Sequence, residues 1–166
     1  MRVEYINPFI ASLSNAFRTM LDCEVKRVAV FLKDRNSPKY DPPHEISGVI
    51  GLSGTAVGTV VLSLSRNVAL QAASVMLANQ VDEINADVID AVGELTNVVA
   101  GAAKAQLEQH KLMVSLPSVI VGKDHEVRFP SDVTPICVQF QTPWGPLALE
   151  VGLAPVRSEL PAACGS

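Results

Sequence analysis

Apolar residues recur at three- and four-residue spacing from Phe9 and Ile10 through Leu13 and Phe17 to Met20 and Leu21, which predicts a helix over 7–21 with one buried face. Asn7 and Pro8 supply an N-cap and a first-turn proline. The period then changes. Residues 25–33 read as a strand, and Asp34, Asn36, Pro38, Pro42 and Pro43 make 34–43 a loop. Apolar and β-branched runs at about 45–52 and 57–64 flank a turn at Ser53-Gly54-Thr55-Ala56. A short helix near 66–78 follows, with Val68, Ala69, Ala72, Val75 and Met76 as its stripe.

The longest helix opens at Asn85 or Asp87 and runs to about His110, with an acidic first turn that suits the helix dipole. Pro117 interrupts the apolar run Leu112 to Val121, which marks a strand near a sheet edge. Residues 135–142 and 145–153 form a second hairpin about Thr142-Pro143-Trp144-Gly145. From Pro155 to Ser166 no periodicity remains, as expected of a loose tail. The order is helix, three strands, two helices, three strands. Strands grouped in blocks imply an α+β fold, with a largely antiparallel sheet and helices packed on it.

Composition narrows the partners. A chain of 166 residues suits one domain, and few aromatics leave Val, Leu, Ile and Ala to build the core. A net charge of −4 without a Lys/Arg block argues against nucleic acid and against an anionic membrane surface. Ile46 to Leu64 is uncharged and nearly long enough to span a bilayer, but Gly48, Gly51, Gly54 and Gly58 favour the hairpin. Cys23, Cys137 and Cys164 are odd in number and far apart, so neither a disulfide framework nor a zinc site is expected. Met1 to Tyr5 has no apolar signal core, and the chain is expected in the cytoplasm. His44, His110 and His125 fall in three separate places without metal-ligand spacing, and no phosphate-binding glycine loop is present.

The chemistry concentrates on the long helix. Val88, Ala91, Val92, Leu95, Val98, Val99, Ala102 and Ala103 form its apolar face. Asp87, Asp90, Glu94, Asn97, Gly101, Lys104 and Glu108 form the other. Charges are ordinary on a solvated face, and Glu-x-x-Asn alone is a weak motif. Asn97 and Gly101 are different. Both residue types disfavour helix, glycine by about 1 kcal/mol relative to alanine, and neither is needed for the core. Gly101 also removes bulk beside Asn97, so another backbone could approach closely. Glu94 offers a carboxylate for a cation, and Asn97 offers an amide that both donates and accepts.

The run Asp90-Ala91-Val92-Gly93-Glu94-Leu95-Thr96-Asn97 resembles the signature helix of the CheC/CheX/FliY chemotaxis phosphatases, whose motif is Asp or Ser, three residues, Glu, two residues, Asn. Gly93, Gly101 and Lys104 fit its surroundings, and Tyr5-Ile6-Asn7-Pro8-Phe9 is similar to CheX N-termini. On the first helix Ser12, Ala16 and Thr19 stand at the corresponding spacing, so the Glu and Asn of a second motif are missing. A single motif on the later helix is the CheX pattern within that family. The resemblance implies a CheC-like fold over residues 1–153, and the lack of periodicity beyond leaves 154–166 as a flexible C-terminal tail. It also implies a hydrolase that dephosphorylates the phospho-aspartate of a CheY-type response regulator in chemotaxis signalling. Asn97 would orient the attacking water and Glu94 would pair with the regulator's lysine. Asp90, Gly101 and Lys104 would lie against the partner. No cofactor is implied in this chain; the magnesium belongs to the partner. A homodimer joined by β-structure is implied as well, with edges at 112–121 or 135–153 to supply it. Two other readings use the same helix: a non-catalytic adaptor that binds a receiver domain through it, and a small-molecule-binding dimer for which the face is only solvated.

Overall fold

The two periods in the sequence become two layers. A computed structural model describes residues 3–34 and 43–156. Among these, a 3-10 turn at Val3–Tyr5 leads into α1 (Ile6–Leu21), followed by β1 (Lys26–Leu32), β2 (Ile46–Ser53), β3 (Ala56–Leu64), α2 (Arg66–Leu77) and α3 (Ala86–Gln106). A second 3-10 turn at Glu108–His110 precedes β4 (Met113–Val114), β5 (Ser118–Val121), β6 (Ile136–Thr142) and β7 (Gly145–Pro155). The strands form one seven-stranded sheet in the order β1-β6-β7-β3-β2-β4, with β5 also on β2. Every pairing is antiparallel. The segment 46–64, apolar enough to raise a membrane span, is the β2–β3 hairpin, and no helix among the described residues is long and apolar enough to cross a membrane.

Alternation along the strands sends one set of side chains to the helices. Ile46, Ile50, Val60, Leu62, Leu64, Val138, Phe140, Leu149 and Val151 are all buried there with Phe9, Leu13 and Phe17 of α1. The opposite face also buries side chains. Ser47 and Ser63 share a hydroxyl hydrogen bond of 2.7 Å, and Glu150 pairs with Lys33 at 2.9 Å. Phe129 and Val133 lie so close over Gly152 that a Cβ there would meet each at 2.8 Å.

Several boundaries move, each for a local reason. α1 is capped by Tyr5 at the end of the 3-10 turn, so Asn7 and Pro8 fall inside its first turn. α3 ends at Gln106, and Glu108–His110 tighten into a 3-10 turn. Asn85 caps it by accepting a hydrogen bond from the Val88 N–H at 3.1 Å. Val75 of α2 is exposed, and Ala73 is buried on the stripe instead. The run 112–121 is two strands: Pro117 has no N–H for a ladder, so pairing to β2 stops between β4 and β5. β6 and β7 are interior strands with neighbours on both sides, which removes 135–153 as a free edge. β7 continues to Pro155, opposite Ala56, past the expected start of the tail at 154. The rest of that tail, 157–166, and most of the 34–43 loop lie outside the described residues.

One contact sets the distance between the layers. Thr96 of α3 is buried on β2 at Gly48, where an added Cβ would stand 1.9 Å from the threonine Oγ1 and 2.8 Å from its Cβ. No side chain fits between them. Gly48→Ala is therefore expected to cost about 1–3 kcal/mol of overpacking, read as a fall in thermal melting temperature. Gly51→Ala, whose Cβ would meet only the Ser115 side chain, at 3.4 Å and beyond, is the control expected to melt near wild type.

Candidate functional site

A helix seated this way has little freedom to roll. Val88, Val92, Leu95, Thr96, Val99 and Ala103 are buried, and successive residues turn by about 100°. Asp87, Asp90, Glu94, Asn97, Lys104 and Glu108 are consequently exposed, with Gly101 half-buried among them. All the residues picked out on the polar face thus share one surface stripe. The apolar face is displaced slightly from the expected one: Ala102 is exposed, Val98 is only partly buried, and Gly93, Thr96 and Ala100 are buried. Thr96 tolerates burial because its Oγ1 donates to the Val92 carbonyl at 2.7 Å.

Among the described residues neither Glu94 nor Asn97 forms a hydrogen bond or ion pair through its side chain. They stand one turn apart with their polar atoms open to solvent, in reach of a second molecule. Gly101 completes the surface. A Cβ placed there would find nothing within 4 Å, so no neighbour in this chain requires glycine. Gly93 differs, because its Cβ would sit 3.6 Å from Pro117 and Val119.

The strand segment after α3 forms a wall beside this stripe. A cleft of about 510 Å³ is lined by Asn97, Gly101, Lys104, Lys111, Leu112 and Val114, with Ala105 and Glu108. Pro117 lies against Gly93, and Val114 shares the cleft with Asn97. Sequence reasoning placed an edge strand here but not its neighbour. Pairing with β2, sixty or more residues away, is what brings it alongside α3.

The first helix cannot present an equivalent site. Ser12 and Ala16 are buried, and Ser12 Oγ accepts from Gln106 Nε2 of α3 at 3.5 Å. Tyr5 meets His110 ring-edge to face at 4.8 Å, so α1 lies antiparallel along α3.

The histidines are not all separate, as their spacing implied. His44 and His125 meet with ring centroids 4.6 Å apart. His44 Nε2 is 2.6 Å from the His125 carbonyl, while His125 binds the Gly122 carbonyl through Nδ1 and Ser47 Oγ through Nε2, each at 2.7 Å. Both rings are tied to backbone or hydroxyl groups, which pins the segment after β5 to β2. Cys23 is buried, and desolvation pushes its thiol up, away from the thiolate that a nucleophile needs.

The fold is the CheC-like one. The chemotaxis protein CheX from Vibrio vulnificus superposes with a TM-score of 0.83 at 30% identity, covering 92% of this chain and 100% of that one. A CheX–CheY–BeF3–Mg complex from Borrelia burgdorferi matches at a TM-score of 0.76 and 22% identity, over 92% of this chain and 99% of that one. A CheY-P phosphatase CheX from Thermotoga maritima is 30% identical over 134 residues, 77% of this chain and 82% of the relative. The model of the family "Chemotaxis phosphatase CheX" matches residues 46–141. The chain belongs to the CheX family of chemotaxis phosphatases.

With nothing to pack against, Gly101→Ala is expected to stabilise the isolated protein by up to about 1 kcal/mol, seen as a higher urea midpoint with an unchanged slope.

Proposed function

We propose that this chain hydrolyses the phospho-aspartate of a CheY-type response regulator in the cytoplasm, with α3 as the working edge. The observation that carries the reading is the joint exposure of Glu94 and Asn97, unpartnered within the described residues, one turn apart on a helix that packing holds fixed. The name of the Thermotoga relative, a CheY-P phosphatase, supports the substrate, and the Borrelia complex supports the partner.

The chemistry suits so sparse a site. Water attacks phosphorus, the acyl P–O bond breaks, and the products are inorganic phosphate and the regulator's aspartate. Such transfer needs positioning and charge stabilisation more than a protein nucleophile. The partner would hold the magnesium and supply the lysine. Asn97 would accept from the water and hold it in line, and being neutral it adds no negative charge beside the phosphoryl group. Glu94 would pair with the partner's lysine and set the docking register. Asp90, a turn earlier, and Gly101 and Lys104, further along, would border the contact; no chemical step is given to Asp90.

Homodimerisation is part of the same reading. β1 is an edge strand that pairs only β6 among the described residues and leaves Val28 63% exposed and Val30 half-exposed. It lies at the opposite end of the sheet from β4 and β5. A dimer through it would therefore leave both α3 faces open. Light scattering on wild type should give twice the chain mass, falling to one chain mass in Val28→Lys/Val30→Lys. A monomeric wild type would refute the dimer.

The catalytic assignment is tested by the decay of a phosphorylated receiver with this protein present. Asn97→Ala should reduce kcat by roughly a hundredfold or more, the scale of losing a transition-state contact, with its melting temperature unchanged. Glu94→Ala should raise KM about tenfold and change kcat less, as expected when one member of a charge pair is lost. Receiver binding without faster decay would mark an adaptor.

A further inference from the structure

Leu116 is the most exposed large apolar residue among those described, with 89% of its surface open. It does not sit on a slack loop. Ser115 before it is clamped to β2, where its N–H donates to the Gly51 carbonyl at 2.9 Å and its Oγ accepts from the Gly51 N–H at 2.8 Å. Pro117 after it packs on Gly93 of α3. The same Ser115 hydroxyl donates to the Leu116 carbonyl at 3.0 Å. An unbranched polar residue would serve as well in this turn, since the leucine side chain supports nothing in its own fold.

Its position relative to the stripe follows from its neighbours. Pro117 stands opposite Gly93, and Val114 shares the cleft with Asn97 and Gly101. Leu116 lies between them in sequence, so it flanks the turn of α3 that carries Glu94 and Asn97. The cleft continues from Asn97 past Gly101 to two cations, Lys104 and Lys111, against one anion, Glu108. In a chain of net charge −4 this is a local positive bias. It suits an acidic stretch on a partner.

We infer that Leu116 is an apolar anchor for the receiver domain, seated beside the phosphoryl pocket that Asn97 enters, with the Lys104/Lys111 cleft taking an acidic stretch of the same partner. The inference rests on the phosphatase reading for the partner's identity. A few side chains that become fully desolvated in a partner's pocket carry most of the affinity of an interface, and Leu116 would be one of them, whereas the chemistry belongs to Asn97. Leu116 thus governs how tightly the helix docks.

The test varies the concentration of phosphorylated receiver for wild type, Leu116→Glu, Leu116→Ala and Lys111→Glu. Leu116→Glu should raise KM tenfold or more with kcat within twofold, and Leu116→Ala should raise it severalfold. Lys111→Glu should raise KM and flatten its dependence on salt. All should melt as wild type does, because the replaced side chains are exposed. Wild-type KM in Leu116→Glu would overturn the anchor, as would a loss confined to kcat. A change of oligomeric state in that variant would also overturn it, by showing that a second copy covers the leucine. Calorimetric titration of the beryllofluoride-loaded receiver, which cannot be hydrolysed, reads the anchor apart from turnover. Weaker binding by Leu116→Glu supports it and equal binding refutes it, while a wild type that binds without speeding decay refutes the phosphatase reading alone.

Discussion

The seating of Thr96 on Gly48 is the constraint on which the rest depends. A helix that meets a sheet through a glycine approaches closely, and there the threonine fills the space that a side chain on β2 would occupy. This fixes both the height of α3 and its rotation. Rolling it by one residue, about 100°, would drive Glu94 or Asn97 toward the sheet and leave a buried polar group without partners. The side chains that face the solvent are thus held by the ones that do not. Because Thr96 satisfies its hydroxyl within its own helix, the contact needs no matching donor or acceptor on the strand.

The same packing explains why α1 offers no second copy of the candidate stripe. α1 and α3 lie side by side, yet α1 turns Ser12 and Ala16 into the core. The first and second positions of a motif on α1 would then be buried, and a glutamate at position 16 would carry its charge into the apolar layer. Placing such a charge without a partner costs several kcal/mol. The small residues at these positions are therefore required by packing: Ser12 fits the first motif position, but Ala16 is buried where the motif has glutamate.

The candidate stripe was legible in the sequence because it depends on local periodicity alone: a 3.6-residue repeat separates Leu95 and Val99 from Glu94 and Asn97 whatever the helix packs against. The antiparallel sheet was legible for a similar reason, since the turns at Gly54 and Gly145 announce their own hairpins. What escaped depends on pairing across long stretches of chain. The wall formed by Val114, Leu116 and Pro117 exists only because both halves of a proline-broken strand pair with β2. His44 and His125 meet only because β2 and β5 are neighbours. Gly48 carried a hint of its own, since a glycine within a strand often marks the close approach of another backbone, but nothing in the sequence named Thr96 as what approaches.

The charges on α3 and the residues between them call for different explanations. Asp87 lies at the N-terminal end and Lys104 at the C-terminal end, the arrangement that complements a helix dipole by about 0.3–1 kcal/mol per charge. Folding alone would favour that pattern. Asn97 and Gly101 gain nothing of the kind: both weaken a helix, and Gly101 has no neighbour that alanine would disturb. Natural helices carry such penalties where another requirement outweighs them. Asn97 and Gly101, more than the charges around them, are therefore where the surface of this helix departs from what its own stability would select. That departure lies on the face the packing turns outward, beside a cleft and an exposed leucine that the fold likewise leaves unused.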